Sequence, residues 1–287
     1  MEAAILKFFE SIRCLPLTVF FGVFSLIGES LVLAGIVILI YWLADGNAGE
    51  QIVVTALTSI PVNVALKYAV RRPRPYAKGV VERLDVHNFL LSTRDLGDFV
   101  SFPSGHTQTA ATLFTAVSCR VKKWWVWLLS AVTILLVMCS RLYFGVHYPP
   151  DVLAGLAFGA VIAVIWQLIY RYAPKARYFI LCALALIALI PLFFVDYHFV
   201  DYHDYEQAAG LIAGGACFLP LCSLLPKRTS SFPKRLLRIP AGLLAAGAMF
   251  ALTLLFPHTA GWTLLKWFLF TGAATLGAQA IFYGLKI

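Results

Sequence analysis

Residues 103–119 read PSGHTQTAATLFTAVSC, and the status of this stretch decides how the whole chain folds. A helix crossing the roughly 30 Å hydrocarbon core of a bilayer needs about 20 mostly apolar residues. By that yardstick eight other stretches stand out: 15–43, 51–70, 124–145, 150–170, 178–195, 207–225, 240–256 and 262–285. The stretch 103–119 carries too much Ser and Thr to qualify on hydropathy alone. Arg120, Lys122 and Lys123 nevertheless close it as basic residues close a span at the interface. Counted in, it makes the chain an all-α polytopic bundle of about nine transmembrane helices.

Composition points the same way. Of 287 residues, 61% are hydrophobic and 13% charged, with mean hydropathy +0.83. Soluble domains hold about 45–50% apolar and about 25% charged residues, so this balance excludes an ordinary soluble domain, a disordered chain, a collagen and a disulfide scaffold. A single integral-membrane domain over 1–287 is expected. The formal charge of +9 would suggest nucleic acid in a soluble protein; in a membrane protein it orients the spans, and no nucleic-acid partner is expected. Six scattered cysteines (Cys14, Cys119, Cys139, Cys182, Cys217 and Cys222) read as small buried hydrophobes, because even Cys217 and Cys222 lack the spacing of a zinc or redox pair. The start, MEAAILKFFESIRCLP, mixes acids with bases and offers no small-residue cleavage site, so no removable signal peptide is expected.

Nine spans put successive loops on alternate faces. The face away from the amino terminus holds 12 Lys and Arg with two acids, Asp45 and Glu50, and the other face holds 11 of each sign. The two basic counts are nearly equal. They separate once Lys67, Arg74 and Arg141 are set aside as residues held by chemistry, which assigns the strongly basic face to the cytoplasm. The expectation is a multi-pass protein of the plasma or inner membrane, its motif-bearing face extracytoplasmic, or lumenal in an internal membrane.

Three segments stand at helix ends on that face: KYAVRRPRP (67–75), FPSGH (102–106) and SRLYFGVHYPPD (140–151). Lys67 lies one turn before the end of its span, where an unpaired ammonium in lipid is costly, so it should point inward toward an anion. Pro73 stops the helix and lets Arg74 turn beside it, while Arg141 ends the next span but one. Two guanidiniums and an ammonium suit a tetrahedral oxyanion. Ser104, Gly105 and His106 open a helix whose first amides lack helical acceptors, which makes a phosphate cradle. Asp151, four residues after His147, is placed to fix that ring's tautomer and free its other nitrogen to attack; His106 is placed to move a proton.

Together the segments resemble the signature of the type 2 phosphatidic acid phosphatase superfamily, which includes lipid phosphate phosphatases, glucose-6-phosphatases, sphingosine-phosphate phosphatases and the soluble vanadium haloperoxidases. The pattern is Lys67, six residues, Arg74-Pro75; Pro103-Ser104-Gly105-His106; and Ser140-Arg141, five residues, His147, three residues, Asp151. No motif position departs from it. The resemblance covers about 67–151 closely. It implies a catalytic core at about 51–195 with accessory helices at about 207–285. It implies His147 as the nucleophile that becomes a phosphohistidine, Asp151 as its orienter, and His106 as acid and then base. Lys67, Arg74, Ser104, Gly105 and Arg141 would bind the phosphoryl oxygens, with no metal or cofactor required. The substrate so implied is a lipid phosphate or diphosphate within the membrane, such as polyprenyl diphosphate or phosphatidate. A hexose phosphate, a sphingoid phosphate and phosphotransfer to another lipid are the alternatives; the oligomeric state is left open.

Outside the motifs, Glu29 is the one acid deep in an expected span, and it either pairs structurally or lines the substrate cavity. Loop 76–101 has the length of a lid, though a solvated loop fits equally well. The acidic stretch 196–206 reads as solvated. A transporter or flippase would also bury charges among many spans, but it should carry paired broken helices in both halves. The charged cluster here has no counterpart in 178–287.

Overall fold

A computed structural model of the chain describes residues 1–44, 47–84, 100–193, 202–225, 231–255, 257 and 261–287. Among the described residues there are helices and no strands. In order they are α1 (Glu2–Ser11), α2 (Leu15–Ile27), α3 (Ser30–Leu43), α4 (Asn47–Val70), α5 (Gly105–Val121), α6 (Trp124–Tyr143), α7 (Pro149–Tyr172), α8 (Arg177–Leu189), α9 (Tyr202–Leu224), α10 (Phe232–Leu236), α11 (Arg238–Thr253), α12 (Trp262–Gly272) and α13 (Ala278–Leu285). The chain is therefore all-α. A 3₁₀ turn extends α8, and a π-helical turn joins α12 to α13.

All nine expected stretches carry helix, and α1 and the short α10 lie outside them. Among the described residues, six helical segments are long and apolar enough to cross a membrane, or seven if the bent pair Leu15–Ile27 and Val32–Leu43 is one span. The count of nine included two weaker helices: α8 is short, and α5 is the Ser/Thr-rich stretch.

Helix α5 shows why hydropathy undervalues it. Its hydroxyls return to their own backbone: Thr109 Oγ1 donates to the Gly105 carbonyl at 2.9 Å and Thr112 Oγ1 to the Gln108 carbonyl at 2.8 Å. Gln108 accepts from Asn63 of α4 at 2.9 Å, and Ser118 bonds Ser130 of α6 at 2.8 Å. Side chains satisfied in this way need no water. Most of the helix is buried in protein, whereas α6 exposes Trp124, Trp125, Leu128, Leu129 and Leu135, the large apolar surface expected of a lipid-facing helix.

The helices form two compact units. The first is Met1–Gly35 with Val62–Ile165, and the second is Ile36–Pro61 with Trp166–Ile287. In the first, α6 packs on α1, α2 and α5. Buried Leu6, Ala111, Ile134, Met138, Leu142 and Val152 share one core cluster. Against the other side of α5, α7 presents Gly155 and Gly159, four residues apart. A Cβ at Gly155 would meet the Ser104 carbonyl oxygen at 2.7 Å, and one at Gly159 would meet the Gln108 carbonyl oxygen at 2.5 Å. Only glycine permits this backbone approach, the small-residue packing typical of membrane helices. It brings the start of α7 to the start of α5, where Ser104 N donates to the Asp151 carbonyl at 3.0 Å.

In the second unit, α9 packs on α8 and α12, with the Tyr205 hydroxyl donating to the Ala188 carbonyl at 2.7 Å. The buried Trp42 indole donates to the carbonyl of Ala274 in the π turn at 2.9 Å, and Arg238 Nη1 donates to the Trp42 carbonyl at 3.0 Å.

Candidate active site

Every residue singled out in the sequence, Glu29, Lys67, Arg74, Ser104, Gly105, His106, Arg141, His147 and Asp151, falls in the first unit. Arg74, Ser104, Arg141, His147 and Asp151 are buried. The turn between α6 and α7 keeps Arg141 and His147 close: Phe144 N bonds the Ser140 carbonyl and Val146 N bonds that of Arg141.

His147 is held differently from the expectation. Its Nδ1 lies 2.7 Å from the Ser101 carbonyl oxygen and 3.9 Å from Asp151 Oδ2. A carbonyl oxygen only accepts, so Nδ1 carries the hydrogen and Nε2 keeps a lone pair. Asp151 has other work. Its Oδ2 accepts from the Ser101 hydroxyl at 2.6 Å and from Tyr148 N at 2.9 Å, and its Oδ1 accepts from Arg72 Nη1 at 2.8 Å. The carboxylate therefore holds the segment that holds the histidine. The cause is local: with α7 starting at Pro149, Asp151 turns back to bind the Tyr148 amide, as acids do at helix starts.

Burial first, and then the charges of Arg74, Arg141, Lys67 and His106, push the His147 ring well below the ordinary histidine pKa of 6.5. Each of these four charged groups is a sequence-selected residue. Arg74 Nη1 donates to the Val146 carbonyl at 2.9 Å, and Arg141 Nη1 donates to the Ser25 hydroxyl at 2.5 Å. The Arg141 Nε is buried without a hydrogen-bond partner.

The start of α5 completes the arrangement. A Cβ on Gly105 would stand 3.6 Å from Lys67 Nζ and 3.2 Å from Asn63 Oδ1, so the glycine keeps open the space between the helix start and the ammonium. Ser104 differs from the simple cradle: its amide is bound to Asp151, and its hydroxyl accepts from Thr107 at 3.1 Å. The amides that follow it in the first turn have no acceptor within the helix. His106 Nε2 lies 3.1 Å from Glu29 Oε2. Glu29 therefore has a structural partner, and that partner is a sequence-selected residue.

Residues 48–178 match the family model described as the PAP2 superfamily. Over that span the chain is similar to the PAP2 superfamily. It is 30% identical over 117 residues to the undecaprenyl-diphosphatase of Sulfolobus acidocaldarius, a match covering 41% of this chain and 52% of that protein. It is 26% identical over 236 residues to sphingosine-1-phosphate phosphatase 1 of Mus musculus, covering 71% of this chain and 52% of that one. The chain thus spans about half the length of these curated relatives. Among solved structures, the first transmembrane PAP2-type phosphatidylglycerolphosphate phosphatase from Bacillus subtilis shares the fold with a TM-score of 0.50 at 24% identity, over 60% of this chain and 85% of that one.

Four supporting residues escaped sequence reading: Ser101, Arg72, Ser25 and Asn63. Arg72 sits within the basic run 71–74 and had a signal, since it is one of three arginines beside a stopping proline. It binds Asp151, pairs with Glu2 at 2.6 Å and lies 4.1 Å over the Tyr148 ring. Ser101 acts partly through its backbone carbonyl, which has no signature in sequence. Of loop 76–101, residues 85–99 lie outside the described residues, as do 196–201 of the acidic stretch. Glu206, from the end of that stretch, is buried and accepts from Gly261 N at 2.9 Å.

Proposed function

We propose that this chain is an integral-membrane phosphatase that releases phosphate from a lipid phosphate, or the terminal phosphate of a lipid diphosphate, through a phosphohistidine on His147. The observation that carries the reading is the setting of His147: buried, its Nδ1 tied to a carbonyl, and its ring pushed toward the neutral form by burial and by Arg74, Arg141 and Lys67. A neutral imidazole among cations is a nucleophile aimed at an anion.

In the first step His147 Nε2 attacks phosphorus, the bond from phosphorus to the lipid oxygen breaks, and His106 gives that oxygen its proton. In the second, water attacks the phosphohistidine, His106 takes a proton from the water, and the phosphorus–nitrogen bond breaks to release inorganic phosphate. Phosphoryl transfer depends on positioning and charge stabilisation. A cation about 4 Å from a phosphate contributes up to ~4 kcal/mol at an effective dielectric of 20 before desolvation. Lys67, Arg74 and Arg141 therefore suffice for the charge neutralisation, and no metal is invoked. With Lys67, Arg74 and Arg141 set aside, the excess of basic residues in the opposite loops supports a cytoplasmic position for that face and a reaction on the extracytoplasmic side, with the helices after 202 accessory to the core.

The curated relatives' names support lipid substrates, one polyprenyl and one sphingoid. Activity of the purified protein in detergent against undecaprenyl diphosphate, a sphingoid phosphate, phosphatidate and glucose 6-phosphate tests the proposal. The expected result is preference for a lipid substrate, and preference for the hexose phosphate overturns it.

A further inference from the structure

The two histidines of the site stand in opposite electrostatic surroundings. His147 faces cations, and its nearest carboxylate, Asp151, is already bonded to Arg72, the Ser101 hydroxyl and the Tyr148 amide. His106 shares the cations Arg141 and Lys67, but a carboxylate, that of Glu29, stands against its ring. Glu29 reaches it from the break between α2 and α3. A Cβ on Gly28 would stand 3.0 Å from His106 Cβ and 2.9 Å from Val137 Cγ1, so the chain passes against the histidine at this point. The contact from Nε2 to Oε2 is 3.1 Å, and the two side chains keep 14% and 32% of their exposure. His106 Nε2 is buried, and Glu29 is the more exposed member of the pair.

A general acid must hold its proton before the substrate comes. In a pocket built to attract anions, the same cations that bind phosphate drive the proton off an imidazole. A carboxylate beside one histidine and not the other separates their roles, since groups whose surroundings push their protonation apart divide acid from nucleophile.

We propose that Glu29 is the positioning residue for the acid: its carboxylate holds His106 through Nε2 and supplies the negative charge that favours a proton there among the site's cations, so that the pair gives that proton to the leaving oxygen. The proposal rests on the phosphatase reading and deepens it. As phosphorus parts from the lipid oxygen, the proton passes from Nε2 to that oxygen, leaving neutral His106 beside the carboxylate. When water attacks the phosphohistidine, its proton returns to Nε2, and the pair is restored with no net change.

The role predicts a dependence on the leaving group, which a structural role does not. A long-chain alkyl phosphate leaves as a strongly basic alkoxide and needs the acid, whereas 4-nitrophenyl phosphate leaves as a stable phenolate and needs it little. We compare kcat/KM for both in the wild type, Glu29→Gln and Glu29→Asp. General acid catalysis contributes about 10²–10⁴-fold, and Glu29→Gln should lose about 10–100-fold of it on the alkyl phosphate. Its alkaline limb should move to lower pH, because Glu29 no longer offsets Arg141 and Lys67. On 4-nitrophenyl phosphate the loss should be about threefold or less, which also reports that the variant is folded. Glu29→Asp, which keeps the charge, should recover part of the alkyl rate. Equal losses on both substrates, an unmoved alkaline limb or no loss at all overturn the proposal. Failure of the wild type to hydrolyse either compound is the separate failure of the phosphatase reading, and it takes this proposal with it.

Discussion

Each unit of the molecule buries charge, and Arg141 in the first is held differently from Arg177 in the second. In the second, Glu50 accepts from Arg177 Nε and from the Tyr170 hydroxyl, both at 2.8 Å, so the cation and the acid answer each other. In the first, Arg141 lies deeper and bonds a neutral hydroxyl through Nη1, while its Nε has no hydrogen-bond partner. Arg74, also buried, directs its Nη1 to a backbone carbonyl. A buried charge without a close counter-ion is expensive. For Arg141, which bonds no carboxylate among the described residues, retention marks a place where the missing charge comes from outside, whereas Arg72 and Asp151 in the same unit answer each other. Charge alone therefore does not identify a site; the mismatch of charge does.

The comparison breaks if the two arginines respond alike. Arg141→Ala should lower kcat/KM by about 10²–10³-fold, the usual consequence of removing one donor from an electrostatic site. Ser101→Ala removes the hydroxyl that ties Asp151 and keeps the carbonyl that holds His147. A loss of about tenfold is expected, equivalent to roughly 1.4 kcal/mol. Arg177→Ala should leave kcat/KM of the folded protein within about twofold and instead lower its stability by about 1–3 kcal/mol, discounted from the 3–5 kcal/mol of a fully buried pair for partial exposure. Thermal melts beside the rate assays check all three variants, and an Arg177→Ala protein that is folded but inactive would dissolve the distinction between the units.

The smallest effect is on titration. Because burial and the neighbouring cations depress the proton affinity of His147, its ring should remain neutral as the pH falls through 6.5, and the protonation midpoint should lie below that value. Removal of the Arg141 charge should raise the midpoint. Ring nitrogen shifts of isotope-labelled histidine in the substrate-free protein follow this directly, and a His147 transition at or above pH 6.5 in the wild type would contradict the environment described.

The residue set was readable because phosphate chemistry demands particular side chains at helix ends, and Lys67, Arg74, His106, Arg141, His147 and Asp151 are conspicuous among apolar spans. The bonds among them were less readable. The spacing of His147 and Asp151 allows a direct contact, but the chain at 100–103 enters between them, and a backbone carbonyl leaves no trace in sequence. Helix α5 was uncertain for a related reason: hydropathy scores a threonine as polar whether or not its hydroxyl is bound to its own helix. Helix α1 went unread because its burial depends on α6 and on the Arg72–Glu2 pair, both distant in sequence.

The central claim is that His147 carries the phosphoryl group. The direct measurement is to quench the purified protein during turnover of a ³²P-labelled lipid phosphate and map the label on the denatured chain. The account predicts an acid-labile, base-stable phosphate on His147, absent from His147→Ala, with turnover abolished in that variant. Label on another residue, or substantial turnover by His147→Ala, would contradict it.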